Sequence, residues 1–113
     1  MTGGSGGGGG GARQTYIQIG TSTANFSRAG GRRGVLTVET GLDVADTDLH
    51  ARALQSAPRL RAAYNTVITR VAAGLRGDSP PDVERMAREL QAATDQALGR
   101  AGARFLLGTV MAF

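Results

Sequence analysis

The sequence predicts an α+β fold in which three strands form a small antiparallel sheet and helices cover one of its faces. Two segments rich in β-branched residues precede the middle of the chain, and an apolar segment closes it. Between them lie two long segments whose apolar residues recur every three or four positions, the period of an amphipathic helix. The predicted order is therefore β-β-α-α-β, with the first helix divided if its internal proline breaks it.

The chain of 113 residues holds one domain, predicted over residues 14–113, behind a glycine-rich segment over residues 1–13. Glycine offers no side chain to bury, so this segment is expected to be a flexible linker or tether. It is either an added linker or the native start of a mature exported protein whose signal peptide has been replaced by Met1-Thr2. Alternatively its glycines pack against a neighbouring subunit, and the residues predicted to do so are Gly6, Gly7, Gly8 and Gly9.

The first predicted strand runs from Thr15 to Ser27 and is rich in β-branched and aromatic residues. Gly20 is expected to form a bulge or bend within it. Every second position carries a β-branched residue, so one face of the strand is expected to comprise Ile17, Ile19, Thr21 and Thr23.

A hairpin is predicted at Gly30-Gly31, because paired glycines supply the positive φ that tight turns need. The second strand then runs from Val35 to Val44. Its alternation predicts one buried face and one solvated face. The buried face comprises Leu36, Val38, Leu42 and Val44, and the solvated face comprises Thr37, Glu39 and Asp43.

Asp46 is the predicted N-cap of the first helical segment. Pro58 lies inside that segment, where proline removes a backbone donor. We expect either a kink there or a short helix that ends near Gln55, followed by a longer helix over residues 57–75 that Ser56 caps. One continuous apolar stripe survives in both cases, formed by Leu49, Ala53, Ala57, Leu60, Tyr64, Val67, Ile68, Val71 and Leu75.

Residues 76–78 are expected to break the helix, and Ser79 is the predicted N-cap of the next one, with Pro80 in its first turn. Gly99 or Gly102 is expected to end it. The final segment, residues 103–113, is apolar on both parities. Such a strand is either central in a sheet or packed against another subunit.

Composition excludes several classes of function. The chain has no cysteine, so it can form neither a disulfide nor a thiolate metal site. No apolar run approaches the ~20 residues of a membrane-spanning helix. The formal charge is only +4, and acidic residues alternate with arginines along both helical segments, whereas nucleic-acid-binding domains concentrate their basic residues on one face. We therefore expect no nucleic-acid partner.

No residue pattern indicates catalysis, and no catalytic, cofactor-binding or metal-binding residue is predicted. His50 is the single histidine, and an exposed surface position is favoured for it because no nucleophile pairs with it. Carboxylate pairs lie at helix starts or on charged faces, where capping and solvation account for them. The chain is expected not to be an enzyme and to need no cofactor.

Arg28, Arg32 and Arg33 form the one local basic cluster, in the predicted hairpin loop. A charged turn that keeps a sheet edge soluble is the favoured interpretation. The alternative is contact with an anionic partner or surface, such as phospholipid head groups, a polymer or an acidic patch on a neighbour.

The chain resembles a FliL-like domain, the periplasmic portion of the flagellar basal-body-associated protein FliL. The segments that carry the resemblance cover roughly residues 15–113 and are RRGVLTVETGLDVADTDL, APRLRAAYNTVITRVAAGL, PDVERMARELQAATDQALG and GARFLLGTVMAF. The chain also resembles small exported alphaproteobacterial proteins with twin-arginine signals that carry this domain. Flagellar members have an N-terminal membrane helix where this sequence has glycines.

The resemblance implies a stomatin-like fold that forms rings, has no enzymatic activity and lies outside the inner membrane. We therefore expect a periplasmic or extracellular protein, after removal of a signal peptide, that assembles with itself into a ring or filament through its sheet edges. Cell-envelope or flagellar components are possible further partners. The residues predicted to mediate self-association, besides the glycines, are Phe105, Leu107, Val110, Met111 and Phe113.

Overall fold

A computed structural model of the chain describes residues 14–75 and 79–113. The predicted linker, including its four candidate contact glycines, and the predicted helix break at 76–78 lie outside the described residues. No helix within the described ranges is both long and apolar enough to cross a membrane.

The α+β prediction is confirmed. Strands β1 (Tyr16–Ser27), β2 (Arg33–Asp43) and β3 (Arg104–Ala112) form a three-stranded antiparallel sheet in the order β1-β2-β3. Three helices separate β2 from β3: α1 (Thr47–Gln55), α2 (Ala57–Ala73) and α3 (Val83–Leu98). The central strand is β2, so the prediction that the apolar C-terminal strand could be central is wrong. The hairpin with β1 occupies one side of β2, and β3 takes the other.

Gly20 forms the predicted bulge, with φ +130° and a register shift between Gln18 and Gly20. The bulge adds one residue to β1 and so reverses which parity faces the core. Ile17 and Ile19 are buried before it, and Ser22 is buried after it. The prediction that Thr21 and Thr23 share a face with Ile17 and Ile19 is therefore wrong beyond the bulge, because both threonines are exposed.

The hairpin prediction is confirmed. A 3-10 turn over Ala29–Gly31 joins β1 to β2, and its glycines have φ of 76° and 77°. At the base of the turn the ring of Phe26 lies directly over Gly34, where an added Cβ would be 2.5 Å from the ring Cζ. The paired strands are thus closely packed up to the turn.

Pro58 divides the first helical segment in two, as one predicted alternative has it. The helices α1 and α2 meet at Ser56, whose carbonyl accepts a hydrogen bond from Leu60 N at 2.8 Å. Ser56 occupies the N-cap position of α2, although its side chain makes no capping bond. The Asp46 carboxylate caps α1 as predicted and accepts from Leu49 N at 2.8 Å.

Helix α3 begins later than predicted. Its N-cap is Asp82, whose carboxylate accepts from Arg85 N at 3.1 Å, and not Ser79. The residue before a proline is disfavoured in the helical region, so the pair Pro80-Pro81 keeps Pro80 extended and delays the helix. Gly99 ends α3 in a left-handed conformation with φ 81°, as one of the two predicted stops.

The core lies between the helices and one face of the sheet, and the four predicted β2 core residues are all fully buried. Tyr64 is its largest buried side chain. Its hydroxyl lies 2.6 Å from Thr94 Oγ1, and its ring makes an edge-to-face contact with Phe105 at a centroid distance of 5.3 Å. Burial raises the pKa of Tyr64 to about 12.

Candidate self-association surface

The strand predicted to mediate self-association, β3, lies at an edge of the sheet, but its apolar residues divide between two environments. Phe105 is buried, and Leu107 and Val110 pack against the core while remaining partly exposed. Met111 and Phe113 are 48% and 58% exposed. Only the last two therefore present an apolar side chain largely to solvent.

The outer face of the sheet, opposite the helices, carries further exposed apolar area. The Tyr16 ring covers Gly41, where an added Cβ would lie 2.6 Å from the phenol oxygen. Leu106 is the register partner of Gly41 and adjoins the same shallow depression. None of the described helices covers this face, and Tyr16 remains 46% exposed.

Gln91 of α3 occupies the beginning of the β3 edge. Its side-chain Nε2 donates to Ala103 O at 2.8 Å, and its Oε1 accepts from Phe105 N at 2.8 Å. The amide thus makes the two bonds that a neighbouring strand would make to this part of β3. We did not predict this role, because a single glutamine on a helix carries no sequence signal for it.

A bulge interrupts the same edge further along. The register of β3 shifts at Gly108-Thr109, opposite the stretch from Val38 to Thr40. There the Glu39 carboxylate accepts from Thr109 N at 3.3 Å. Bulges and charged side chains are devices that keep an edge strand from pairing with another chain. The β3 edge is therefore protected at its beginning, by Gln91, and at the bulge.

Among residues 14–75 and 79–113, the β1 edge has a protecting contact only at its own bulge. There Arg61 of α2 donates to Ile19 O at 3.3 Å. From Thr21 to Ser27 the strand has no charged residue, no proline and no second register shift. The predicted association through the sheet edges named no residue of this strand, although the uncharged run between Gly20 and Arg28 can be read directly from the sequence.

The hydrogen bonds between β2 and its two neighbours determine which backbone groups of β1 and β3 point away from β2. Arg28 N donates to Arg32 O at 2.6 Å, so in this antiparallel register the even-numbered residues of β1 beyond the bulge bond to β2. The N–H and C=O groups of Thr21, Thr23, Asn25 and Ser27 therefore point outward. By the same alternation Val110 and Ala112 point outward on β3, since Phe113 and Val35 exchange two hydrogen bonds.

The predicted basic cluster lies at the end of the hairpin, beside the 3-10 turn. Arg32 and Arg33 are exposed, and Arg28 is half-buried with its Cγ close to Gly34. No aspartate or glutamate occurs between residues 14 and 38. The turn therefore concentrates positive charge at one end of the hairpin.

The described members of the predicted carboxylate pairs lie at helix starts or on a charged helix face: Asp46, Asp48, Asp82, Glu84 and Glu89. Asp78 lies outside the described residues. Glu89 accepts from Arg85 Nε at 2.9 Å and Arg70 Nη2 at 3.3 Å, and the bond from Arg85 foremost lowers the pKa of its carboxyl. Asp43 pairs with Arg104 at 3.5 Å. Within residues 14–75 and 79–113 no group of three or more histidine, cysteine or acidic residues is placed to hold a metal ion.

His50 differs from its predicted exposed position. The side chain is half-buried on α1, and its Nε2 is enclosed without a hydrogen-bond partner among the described residues. Leu49 and Ala53 beside it are buried, so α1 turns this part of its surface toward the core.

Neither a family model nor a curated protein matches this chain.

Proposed function

We propose that this domain is a non-enzymatic structural or accessory protein of the periplasm or cell exterior that associates with copies of itself. The observation that carries the proposal is the open sheet. Its three strands leave two edges, and one of these has an uncharged stretch without a bulge, from Thr21 to Ser27. An edge of this kind is a template for pairing with another strand.

The uncovered outer face supports the same proposal. Tyr16, Met111 and Phe113 each expose about half of their surface on or beside that face. Met111 and Phe113 lie near each other at one end of the sheet, opposite Thr37 and Val35, whereas Tyr16 lies at the other end, opposite Asp43. Exposed apolar area such as that of Met111 and Phe113 on a small domain is typical of an interaction surface. Location outside the inner membrane, and contact with other cell-envelope components including flagellar ones, follow only from the resemblance to FliL-like domains.

Light scattering over a range of protein concentrations tests the proposal. We expect the weight-average mass of the full chain to rise from that of the monomer, 11.6 kDa, as the concentration increases. A mass that stays at the monomer value up to millimolar concentration contradicts it.

A second candidate function is binding of an anionic surface through the hairpin turn. The supporting observation is the concentration of Arg28, Arg32 and Arg33 in a segment without acidic residues. Each arginine near an anionic membrane contributes about 1 kcal/mol. If the turn binds such a surface, replacing all three arginines by glutamate abolishes retention on vesicles of anionic phospholipid and leaves the circular dichroism spectrum unchanged. If the variant is retained as well as the unmodified chain, membrane binding through the turn is contradicted. The arginines then serve only as a charged turn that keeps the sheet edge soluble.

A further inference from the structure

We infer that the β1 edge from Thr21 to Ser27 pairs with the same edge of a second copy, antiparallel, and joins two sheets of three strands into one continuous sheet. The inference rests on the proposed function and names the surface and the partner. It assigns the contact to the β1 edge, whereas the sequence predicted association through the sheet edges and named only glycines of the N-terminal segment and residues of the C-terminal strand.

The backbone of this edge fits a copy of itself. Outward N–H and C=O groups recur at every second residue from Thr21 to Ser27. A two-fold axis near Ala24 places Thr23 of one copy opposite Asn25 of the other, and Thr21 opposite Ser27. The outward N–H and C=O groups of each copy then face those of the other copy, as an antiparallel ladder requires. No charged side chain lies within the paired stretch from Thr21 to Ser27.

The neighbouring face of α2 leaves room for this partner. Arg61 lies beside Gly20, 3.9 Å from where a Cβ would be, and so marks the side of α2 next to the β1 edge. Asn65 and Thr69 follow one and two turns later on the same side, and both are exposed. Asn65 and Thr69 therefore place no charge on the part of α2 that faces the same helix of a second copy, and only at the ends of the paired stretch does Arg28 of one copy come opposite Gly20 and Arg61 of the other.

The inner side of β1 also has apolar surface for a second copy to cover. Ala24 and Phe26 pack against the core but are only partly buried, in contrast with Leu36 beside them on β2, which is fully buried. A second copy paired along β1 places its own Ala24 and Phe26 next to these residues. The contact therefore buries apolar area in addition to forming hydrogen bonds.

Two proline variants distinguish the edges. Thr23→Pro removes an outward N–H of β1, and Ala112→Pro removes an outward N–H of β3; neither N–H belongs to the ladder with β2, and proline is tolerated on edge strands. In sedimentation equilibrium we expect Thr23→Pro to raise the dissociation constant of the dimer by at least about 30-fold, because each copy loses an intermolecular bond. Ala112→Pro is expected to leave it unchanged.

The outcomes separate the inference from the proposed function. If Ala112→Pro weakens the dimer and Thr23→Pro does not, self-association stands and the β1 assignment is overturned. If the unmodified chain is monomeric at every concentration, both are overturned. Should Thr23→Pro lose its folded circular dichroism spectrum, Asn25→Lys replaces it: this variant keeps the backbone donor and places a charge in the contact. A folded Asn25→Lys that dimerises like the unmodified chain overturns the inference.

Discussion

Replacing Tyr64 by alanine is expected to destabilise the domain by about 3–5 kcal/mol, a large part of the roughly 5–15 kcal/mol available to a domain of this size. Tyr64 is fully buried, and its ring contacts Phe105 while its hydroxyl contacts Thr94. The substitution therefore removes a contact that joins α2, α3 and β3. Urea denaturation followed by circular dichroism measures the loss.

Tyr64→Phe is the matched control, since it keeps the ring and removes the hydroxyl. Thr94 Oγ1 retains its bond to Leu90 O at 2.8 Å, so the expected cost at neutral pH is only about 1 kcal/mol. A cost for Tyr64→Ala no larger than that for Tyr64→Phe contradicts the central position assigned to the ring.

The unmodified protein and Tyr64→Phe are expected to differ in how their stability responds to alkaline pH. Burial raises the pKa of Tyr64 from 10.0 to about 12, so between these values the unfolded chain loses the proton and the folded chain keeps it. Stability from the neutral phenol is therefore fully present below pH 10 and decreases as the pH rises toward 12. Tyr64→Phe lacks this contribution, so the stability difference between the two proteins is expected to shrink above pH 10.

Replacing Gln91 by leucine is also expected to destabilise the domain strongly, because it leaves Ala103 O and Phe105 N without their side-chain partner. Each unsatisfied group costs about 1–3 kcal/mol if it stays buried, and less where water reaches it. We expect the melting temperature to fall by roughly 4–8 °C for each kcal/mol lost. We also expect new association through the β3 edge, which the amide no longer covers.

Gln96→Leu is the control for Gln91→Leu, since it makes the same chemical change at an exposed position of the same helix. Calorimetry and light scattering of both variants test the expectation. Equal melting temperatures and equal masses for the two variants contradict a protective role for Gln91.

Much of the fold could be predicted because its signals are local. The hairpin glycines, the alternation of β2, the Asp46 cap and the interruption at Pro58 each act within a few residues, and all were confirmed. The late start of α3 was missed although its cause is local, since the second proline of the pair constrains the first.

The site could be predicted only in part, because it depends on contacts between distant segments. The apolar character of residues 103–113 is plain in the sequence, but whether that strand is central or at an edge depends on the path of the helices. The protection of β3 by Gln91 joins a helix to a strand 12–14 positions away along the chain. The reversal of parity in β1 arises from the bulge at Gly20, whose presence was predicted without its effect on Thr21 and Thr23.

Amide hydrogen exchange at two protein concentrations tests the central claim most directly. If copies pair along β1, the N–H groups of Thr23 and Asn25 exchange fast in dilute solution and slow markedly in concentrated solution, while those of Val110 and Ala112 exchange at the same rate in both. Exchange at Thr23 and Asn25 that does not depend on concentration, or slowing confined to Val110 and Ala112, contradicts the claim.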